Sequence, residues 1–466
     1  MPDASAAIPD ADDSSRRLGV LTGTLLVVAN MIGTGVFTTT GFLVHDIGSP
    51  AAVLLAWLAG GAAALCGALA YAELGAALPR NGGEYLLLSR IYHPALGFLS
   101  GWASLVVGFS APLAAGALAF GEYLHPLLGD LSAASPTGAW FRPQTGYALA
   151  LIAILATMHA WHIDGGARFQ NAMTLGKVLL IAGFSAAGMF VGNATRLTAA
   201  SATPFLTAVG SAPFAIGLIY VSFSYGGWNS AVYLAGEIRR PERYLPLALI
   251  AGTTLVTGLY VALNYVFLVS APAAELAASG ERVGHVAAVA LFGRQAGDAV
   301  SLLIVLGLVS SVSGLIMVGP RVYEAIGRDY PALKILAIRR GRGGPLVAIV
   351  LQATVAAIMV VTSSFYALLN YIGFTLSLFA MLTVLGVIVL RIREPQLPRP
   401  YRTWGYPLTP LAFVALELWM IAHSLFGKPY VALAGALTLA SGWLVYAGLR
   451  WKSPRARSIG TGPGPD

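Results

Sequence analysis

Apolar positions along this chain come in long blocks, without the single stripe of an amphipathic helix or the alternation of a half-buried strand. A membrane-spanning helix needs about 20 mainly apolar residues. Twelve blocks approach or exceed that length: Leu18–Val44, Ser49–Leu78, Ala95–Leu124, Thr145–His162, Ala167–Gly192 and Ser211–Ile238, then Leu245–Ser270, Ala296–Ile326, Pro345–Thr362, Tyr366–Leu390, Pro407–Phe426 and Pro429–Leu449. The blocks are much longer than barrel strands and lack their period of two, so the pattern predicts an all-α membrane protein with 12 transmembrane helices.

Composition sharpens this picture. Of 466 residues, 57% are hydrophobic and 10% charged, against ~25% charged in a soluble globular chain. Length alone would suggest two or three soluble domains; so few charges cannot solvate the surface of such domains. The 54 glycines and 26 prolines also fit membrane helices, which tolerate both. A single cysteine, Cys66, rules out an internal disulfide and reads as a small core residue.

The net charge of +8 does not point to nucleic acid, because the basic residues sit in the short breaks between blocks. With the N-terminus placed in the cytoplasm, 22 of the 28 Lys and Arg residues fall inside and five outside, with Lys177 alone within a span. That skew predicts an even number of spans and two cytoplasmic termini in the cell membrane. The basic loops are topology determinants, with contact to anionic lipid as a secondary role. Residues 1–17 and 453–466 read as disordered tails, and the acidic Met1–Ser15 lacks the basic start of a signal peptide.

Two blocks carry weak points in their middles. The first contains Gly33-Thr34-Gly35 and the sixth contains Ser224-Tyr225-Gly226-Gly227. Glycine weakens a helix interior by roughly 1 kcal/mol relative to alanine. Matching weak points, each opening a five-helix half, point to a carrier made of inverted repeats with a site at the bilayer midplane. Unwinding frees backbone groups that hydrocarbon cannot satisfy, so they must face a cavity or a ligand. Freed N–H groups suit a carboxylate and freed carbonyls suit an ammonium. The competing reading is that these glycines allow only close helix packing.

Five stretches, in order, carry a resemblance: Met31-Ile-Gly33-Thr34-Gly35-Val-Phe37, Leu78-Pro79-Arg80-Asn81-Gly82-Gly83-Glu84-Tyr85, Phe223-Ser224-Tyr225-Gly226-Gly227-Trp228-Asn229, Glu237-Ile-Arg-Arg-Pro-Glu242-Arg and Gly319-Pro320-Arg321-Val-Tyr. The chain from about Leu18 to Trp451 resembles the amino acid–polyamine–organocation transporters, nearest the bacterial relatives of the L-type amino acid transporters. The resemblance implies a LeuT-type fold, with five-helix repeats at 18–192 and 211–390 and two additional helices at 407–450. It implies that Gly33, Thr34 and Gly35 donate to a substrate carboxylate. The carbonyls of Met31, Phe223 and Gly226 would accept from its α-amino group. Ser224 falls in the same binding segment, Phe223 would lie over the substrate as an outer gate or serve as a packing ring, and Asn229 would stand near the pocket or bond another helix.

Lys177 lies nine residues beyond Arg168, about 13 Å along a helix at ~1.5 Å per residue. A lysine that deep must be paired, face water or lose its proton, unless it snorkels to the interface. The resemblance places it where sodium-coupled relatives hold a cation, so a coupling or gating role is expected, either by titration or as a fixed charge. The resemblance also suggests an exchanger or proton-coupled carrier of neutral α-amino acids, since no acidic residue is expected in the pocket walls; a cationic amino acid or polyamine antiporter is the alternative. Glu84 and Glu237 read either as partners of nearby arginines or as gating groups. The seven histidines show no metal-ligand spacing, and no metal or cofactor is expected. Eukaryotic relatives pair with a glycoprotein through a disulfide in the loop after the third helix. No cysteine lies between Leu124 and Thr145 here, so no such partner is expected. A membrane enzyme would need a polar catalytic cluster and a channel a continuous polar pore; neither is seen in the pattern.

Overall fold

Each apolar block becomes helix, because hydrocarbon leaves a single-chain segment no other way to satisfy its N–H and C=O groups. The computed structural model describes residues 18–128, 142–161, 166–198, 203–339 and 344–452; the expected tails lie outside these residues. The first block divides into α1 (Val20–Met31) and α2 (Gly35–Ile47), bent by 40°. After α3 (Pro50–Ala77) comes the nine-residue α4 (Gly83–Ile91). The third crossing is α5 (Pro94–Ala103), a π-helical stretch at Ser104–Ser110, and α6 (Ala111–Leu128). Helices α7 (Pro143–Trp161) and α8 (Gly166–Val191) follow, then the short α9 (Phe205–Val209).

Helix α10 (Ala212–Tyr225) stops in mid-block and gives way to a 3-10 helix, Ser230–Glu237. The rest of the chain forms α11 (Pro241–Ser270), α12 (Ala273–Ala278), α13 (Val283–Phe292), α14 (Arg294–Asp329), α15 (Leu346–Thr362), α16 (Phe365–Arg393), α17 (Leu408–Gly427) and α18 (Pro429–Lys452). Proline occupies the first turn of α3, α5, α10 and α11, where its missing N–H costs nothing. Ser211 and Ser364 cap α10 and α16 by accepting from the N–H groups of Phe214 (3.3 Å) and Ala367 (3.2 Å).

Among the described residues, eight helices are long and apolar enough to cross a membrane, or nine with the bent pair α1–α2 counted as one. The other three predicted blocks are helical but fall short as single apolar spans. Helix α15 has 17 residues, α10 is cut at its break, and α7 carries Gln144, Thr145 and His159. Helix α14, at 36 residues, is about 54 Å long and outreaches a hydrocarbon core of ~30 Å.

Lipid tails are as apolar as leucine, so burial alone drives little helix association in a membrane; close packing and polar bonds do more. Helix α3 lies along α11, α1 also packs on α11, α14 packs on α6, and α10 lies against α2 and α3. At the centre Trp57, Tyr225 and Tyr260 form a triangle of rings 5.0 to 5.9 Å apart. Glu73 of α3, 2% exposed, binds Arg391 at 2.6 Å and accepts from the Thr403 N–H and hydroxyl, both at 2.7 Å. The two broken segments are joined at one end: the Leu18 N–H donates to the Glu237 carbonyl (3.0 Å) and the Arg239 N–H to the Leu18 carbonyl (2.9 Å).

Candidate functional site

The two breaks meet at the centre of the molecule. Helix α1 ends at Met31, Ile32 turns to φ −74°, ψ 82°, and α2 resumes at Gly35. Helix α10 ends at Tyr225; Gly226 is extended at φ −48°, ψ 144°, and Gly227 has φ +98°, a conformation that favours glycine. The break in the sixth block thus starts at Gly226, with Ser224 still helical. A β-carbon on Gly227 would lie 2.7 Å from the Asn30 carbonyl carbon, and one on Gly35 would lie 2.6 Å from the Ser224 α-carbon. These two glycines let backbone meet backbone where the broken segments cross. Gly33 differs, since a β-carbon there would meet nothing nearer than the Met31 oxygen at 3.9 Å.

A cavity of about 190 Å³ lies beside the breaks. That is far above the ~10–15 Å³ that admits one water and leaves room for a small organic molecule. Met31, Gly33, Thr34 and Gly35 line it from the first segment. Phe223, Ser224, Gly226 and Asn229 line it from the other. The opening N–H groups of α2 have no intrahelical acceptor, and the last carbonyls of α10 have no intrahelical donor, so both breaks present spare dipoles here. The π-helical stretch adds Ser104, Gly108 and Phe109 to the wall.

Not every freed group is available. The Met31 carbonyl already accepts from the Tyr260 hydroxyl (2.5 Å) and the Gly33 N–H (2.8 Å). The Phe223 carbonyl accepts from the Gly226 N–H at 3.0 Å. The Ser224 hydroxyl donates to the Tyr220 carbonyl (2.9 Å) and shares a hydrogen bond with Thr39 (3.0 Å). The ring of Phe223 is half-buried at the cavity wall.

Lys177 is not in the wall but behind it. It is 3% exposed, which excludes the snorkelling alternative in this structure. Its Nζ donates to the Ile32 carbonyl (3.1 Å), inside the first break, and to the Ser311 hydroxyl (2.8 Å). Ser311 lines the cavity and also donates to the Ile32 carbonyl at 3.1 Å. Its stem passes Gly307, where a β-carbon would sit 3.5 Å from the lysine Cγ.

The expectation of walls free of acid is corrected: Glu84 and Glu417 both line the cavity. Glu84 does not use its carboxyl on a neighbouring arginine; it accepts from the Tyr71 hydroxyl (2.6 Å) and the Asn229 amide (2.9 Å). The Gly82–Gly83 turn starts α4 and buries Glu84 within reach of Tyr71 of α3 and of Asn229, 145 positions away. Asn229 therefore bonds another helix and faces the cavity at once. Glu417 was missed entirely. The signal was present, because it is the one acid in the Pro407–Phe426 block, and an ionisable residue inside a span is a candidate by default. Among the described residues, no group of three or more His, Cys, Asp or Glu is placed to hold a metal.

Asp46 at the end of α2, Tyr220 of α10, Tyr366 of α16 and Lys428 after α17 form a second polar cluster. Lys428 donates to both tyrosine hydroxyls (2.7 and 2.8 Å), and Tyr366 donates to Asp46 (3.1 Å). Burial lowers the Lys428 pKa from its ordinary value, and Asp46 opposes the shift.

Apolar helices interrupted on both sides of a central cavity fit a multi-pass membrane protein with an internal site, and the family match makes it a transporter and not an enzyme. Residues 18–447 match the amino acid permease family, and the chain belongs to it, within the amino acid–polyamine–organocation superfamily. The large neutral amino acids transporter small subunit 2 of Homo sapiens is 30% identical, over 94% of this chain and 81% of its own length. The serine/threonine exchanger SteT of Bacillus subtilis is 28% identical over 93% of this chain and 97% of its length. The b(0,+)-type amino acid transporter 1 of Homo sapiens is 28% identical over 94% and 88%.

Proposed function

We propose that this chain is a secondary active transporter of α-amino acids in the cytoplasmic membrane, working by alternating access. The observation that carries the proposal is the pair of helix breaks facing one cavity, with spare donors at the start of α2 and spare acceptors at the end of α10. A zwitterion needs both. Its carboxylate goes to the Thr34 and Gly35 amides, its α-ammonium to carbonyls around Phe223 and Gly226, and the Phe223 ring covers it. The Gly33 amide and Met31 carbonyl, bonded to each other without substrate, join when that bond opens. The relatives named for neutral amino acids and for serine/threonine exchange support amino acid exchange here.

The proposed architecture is twelve spans, with repeats at 18–192 and 211–390, a helix pair at 407–450 and both termini cytoplasmic. Lys177 occupies the place of a coupling cation beside the first break, which disfavours sodium and leaves exchange or proton coupling. Membrane lipid is the expected surroundings. One relative is named a small subunit; this chain offers no cysteine for a disulfide after the third crossing, because Cys66 lies in α3. We therefore propose that it works without a disulfide-linked partner.

Neutral substrates are favoured where Phe223, Ile372 and Leu376 make the wall apolar. A cationic substrate is the second reading, favoured by the carboxyls of Glu84 and Glu417. A polyamine would leave the α2 donors unused. Saturable, trans-stimulated uptake of α-amino acids by purified protein in sealed vesicles is the expected result. Passive flux, chemical conversion, or thermal stabilisation by polyamines and by no α-amino acid would overturn the proposal.

A further inference from the structure

The central cavity stops short of one end of the bundle. From α2 only Gly35 lines it, on α10 the wall begins at Ser222, and on α16 at Ile372. On the other side of the breaks the wall continues through Asn30 of α1, Tyr233 and Glu84. At the closed end, α2 and α10 press on α16. Phe42 of α2 stacks on Phe365 at 6.2 Å, and a β-carbon on Gly373 would lie 2.7 Å from the Ile219 carbonyl oxygen. Leu369, one turn before Gly373 on the same face of α16, is fully buried.

Beyond this plug lies the cluster of Asp46, Tyr220, Tyr366 and Lys428. The Lys428 Nζ, besides donating to both tyrosine hydroxyls, sits 4.3 Å from the centre of the Tyr366 ring and 5.2 Å from that of Tyr220, close enough for attraction to both ring faces. The two hydroxyls are 2.9 Å apart and both reach Asp46 Oδ2, Tyr366 at 3.1 Å and Tyr220 at 3.3 Å. One ammonium, carried by the turn between two unbroken helices, thus ties both broken segments to α16. The Asp46 side chain stays 22% exposed, so water can take over these bonds when the helices part, and opening strands no buried charge. We propose that Lys428 is the latch of an outer gate: through Tyr220, Tyr366 and Asp46 it holds α2, α10 and α16 together over the cavity while the opposite side is open. This rests on the alternating-access reading above and adds the residue that keeps one side shut.

The test uses the full-length protein in sealed vesicles, with Cys66→Ala and a single reporter, Leu369→Cys, reacted with a membrane-impermeant thiol reagent from the side that carries Lys428. Adding Lys428→Met should raise the labelling rate about tenfold. A second reporter, Asn30→Cys, labelled from the opposite side, should slow in the same variant; a rise at both reporters would mean general loosening and would overturn the latch. Should Lys428→Met fail to fold, Tyr366→Phe, which keeps the ring and loses the hydroxyl, is expected to speed Leu369→Cys labelling about threefold. Unchanged labelling in a chain that still exchanges amino acids would overturn the latch and spare the transport reading. A wild-type chain that exchanges no α-amino acid would overturn both.

Discussion

Replacing Lys177 by methionine keeps the unbranched stem against Gly307 and deletes two donors, to the Ile32 carbonyl and to Ser311. A hydrogen bond from a charged group contributes about 1.5–3 kcal/mol net. Two opposing facts limit what the change does to folding. Ser311 keeps its own bond to the Ile32 carbonyl, so that acceptor is not orphaned. Removing a buried amine also removes a desolvation penalty of several kcal/mol. Global stability should therefore move by only about 1 kcal/mol in either direction. On the proposed alternating-access mechanism, the balance between carrier states has no such compensation. If α8 and α14 grip the first break in one state and release it in the other, losing one bond of about 1.5–3 kcal/mol shifts that equilibrium roughly tenfold to a hundredfold. Purified protein in vesicles should show apparent substrate affinities that diverge between the two faces, with slowed exchange and a near-normal melting temperature. A Lys177→Met, Ser311→Ala double-mutant cycle should be non-additive by more than about 0.5 kcal/mol. Wild-type exchange, side-specific affinities and pH dependence in Lys177→Met would refute the reasoning.

The two glycines of the first break should respond oppositely. Gly35→Ala drives a methyl into the Ser224 backbone, an overpacking cost of about 1–3 kcal/mol or more, read as a lower melting temperature and lost transport. Gly33→Ala points its methyl into open space, so melting should change by less than about 1 kcal/mol while substrate affinity falls. The reverse order would mean that the segments cross elsewhere. Glu73→Gln leaves Arg391 and Arg399 without their carboxylate, and breaking such a buried pair costs about 3–5 kcal/mol; a melting temperature within a degree of wild type would contradict this. In the loop before α13, burial and the nearby Glu122 push Glu281 up to about 8, against the pull of Arg142. The folded state then holds a proton that the unfolded chain releases above the usual carboxylate pKa of ~4.3. Stability should fall as pH rises from about 4.5 to about 8, and Glu281→Gln should flatten that slope; equal slopes in both proteins would count against it.

The positions of the breaks were legible because the cause is local. Glycines 33, 226 and 227 weaken the helix where they stand, and the structure unwinds there, with Gly35 opening the next helix. What unwinding leaves available was not legible. Met31 and Tyr260 are 229 positions apart, and their hydrogen bond takes up a carbonyl that the sequence could only count as free. Glu84 shows the same limit from the other side. Its neighbours in sequence are Arg80 and Arg90, but a short helix turns it inward to Tyr71 and Asn229. Glu417 was legible in principle, as a charge among apolar residues, yet nothing local ties α17 to the cavity; its packing on α16, α3 and α10 does. A local sequence can state where a helix gives way, while contacts between distant helices decide which groups are spare. The features that shape this cavity therefore belong to the pairing of the segments: α2 crossing α10 at Gly35 and Ser224, Lys177 and Ser311 meeting at Ile32, and α17 bringing Glu417 to the wall.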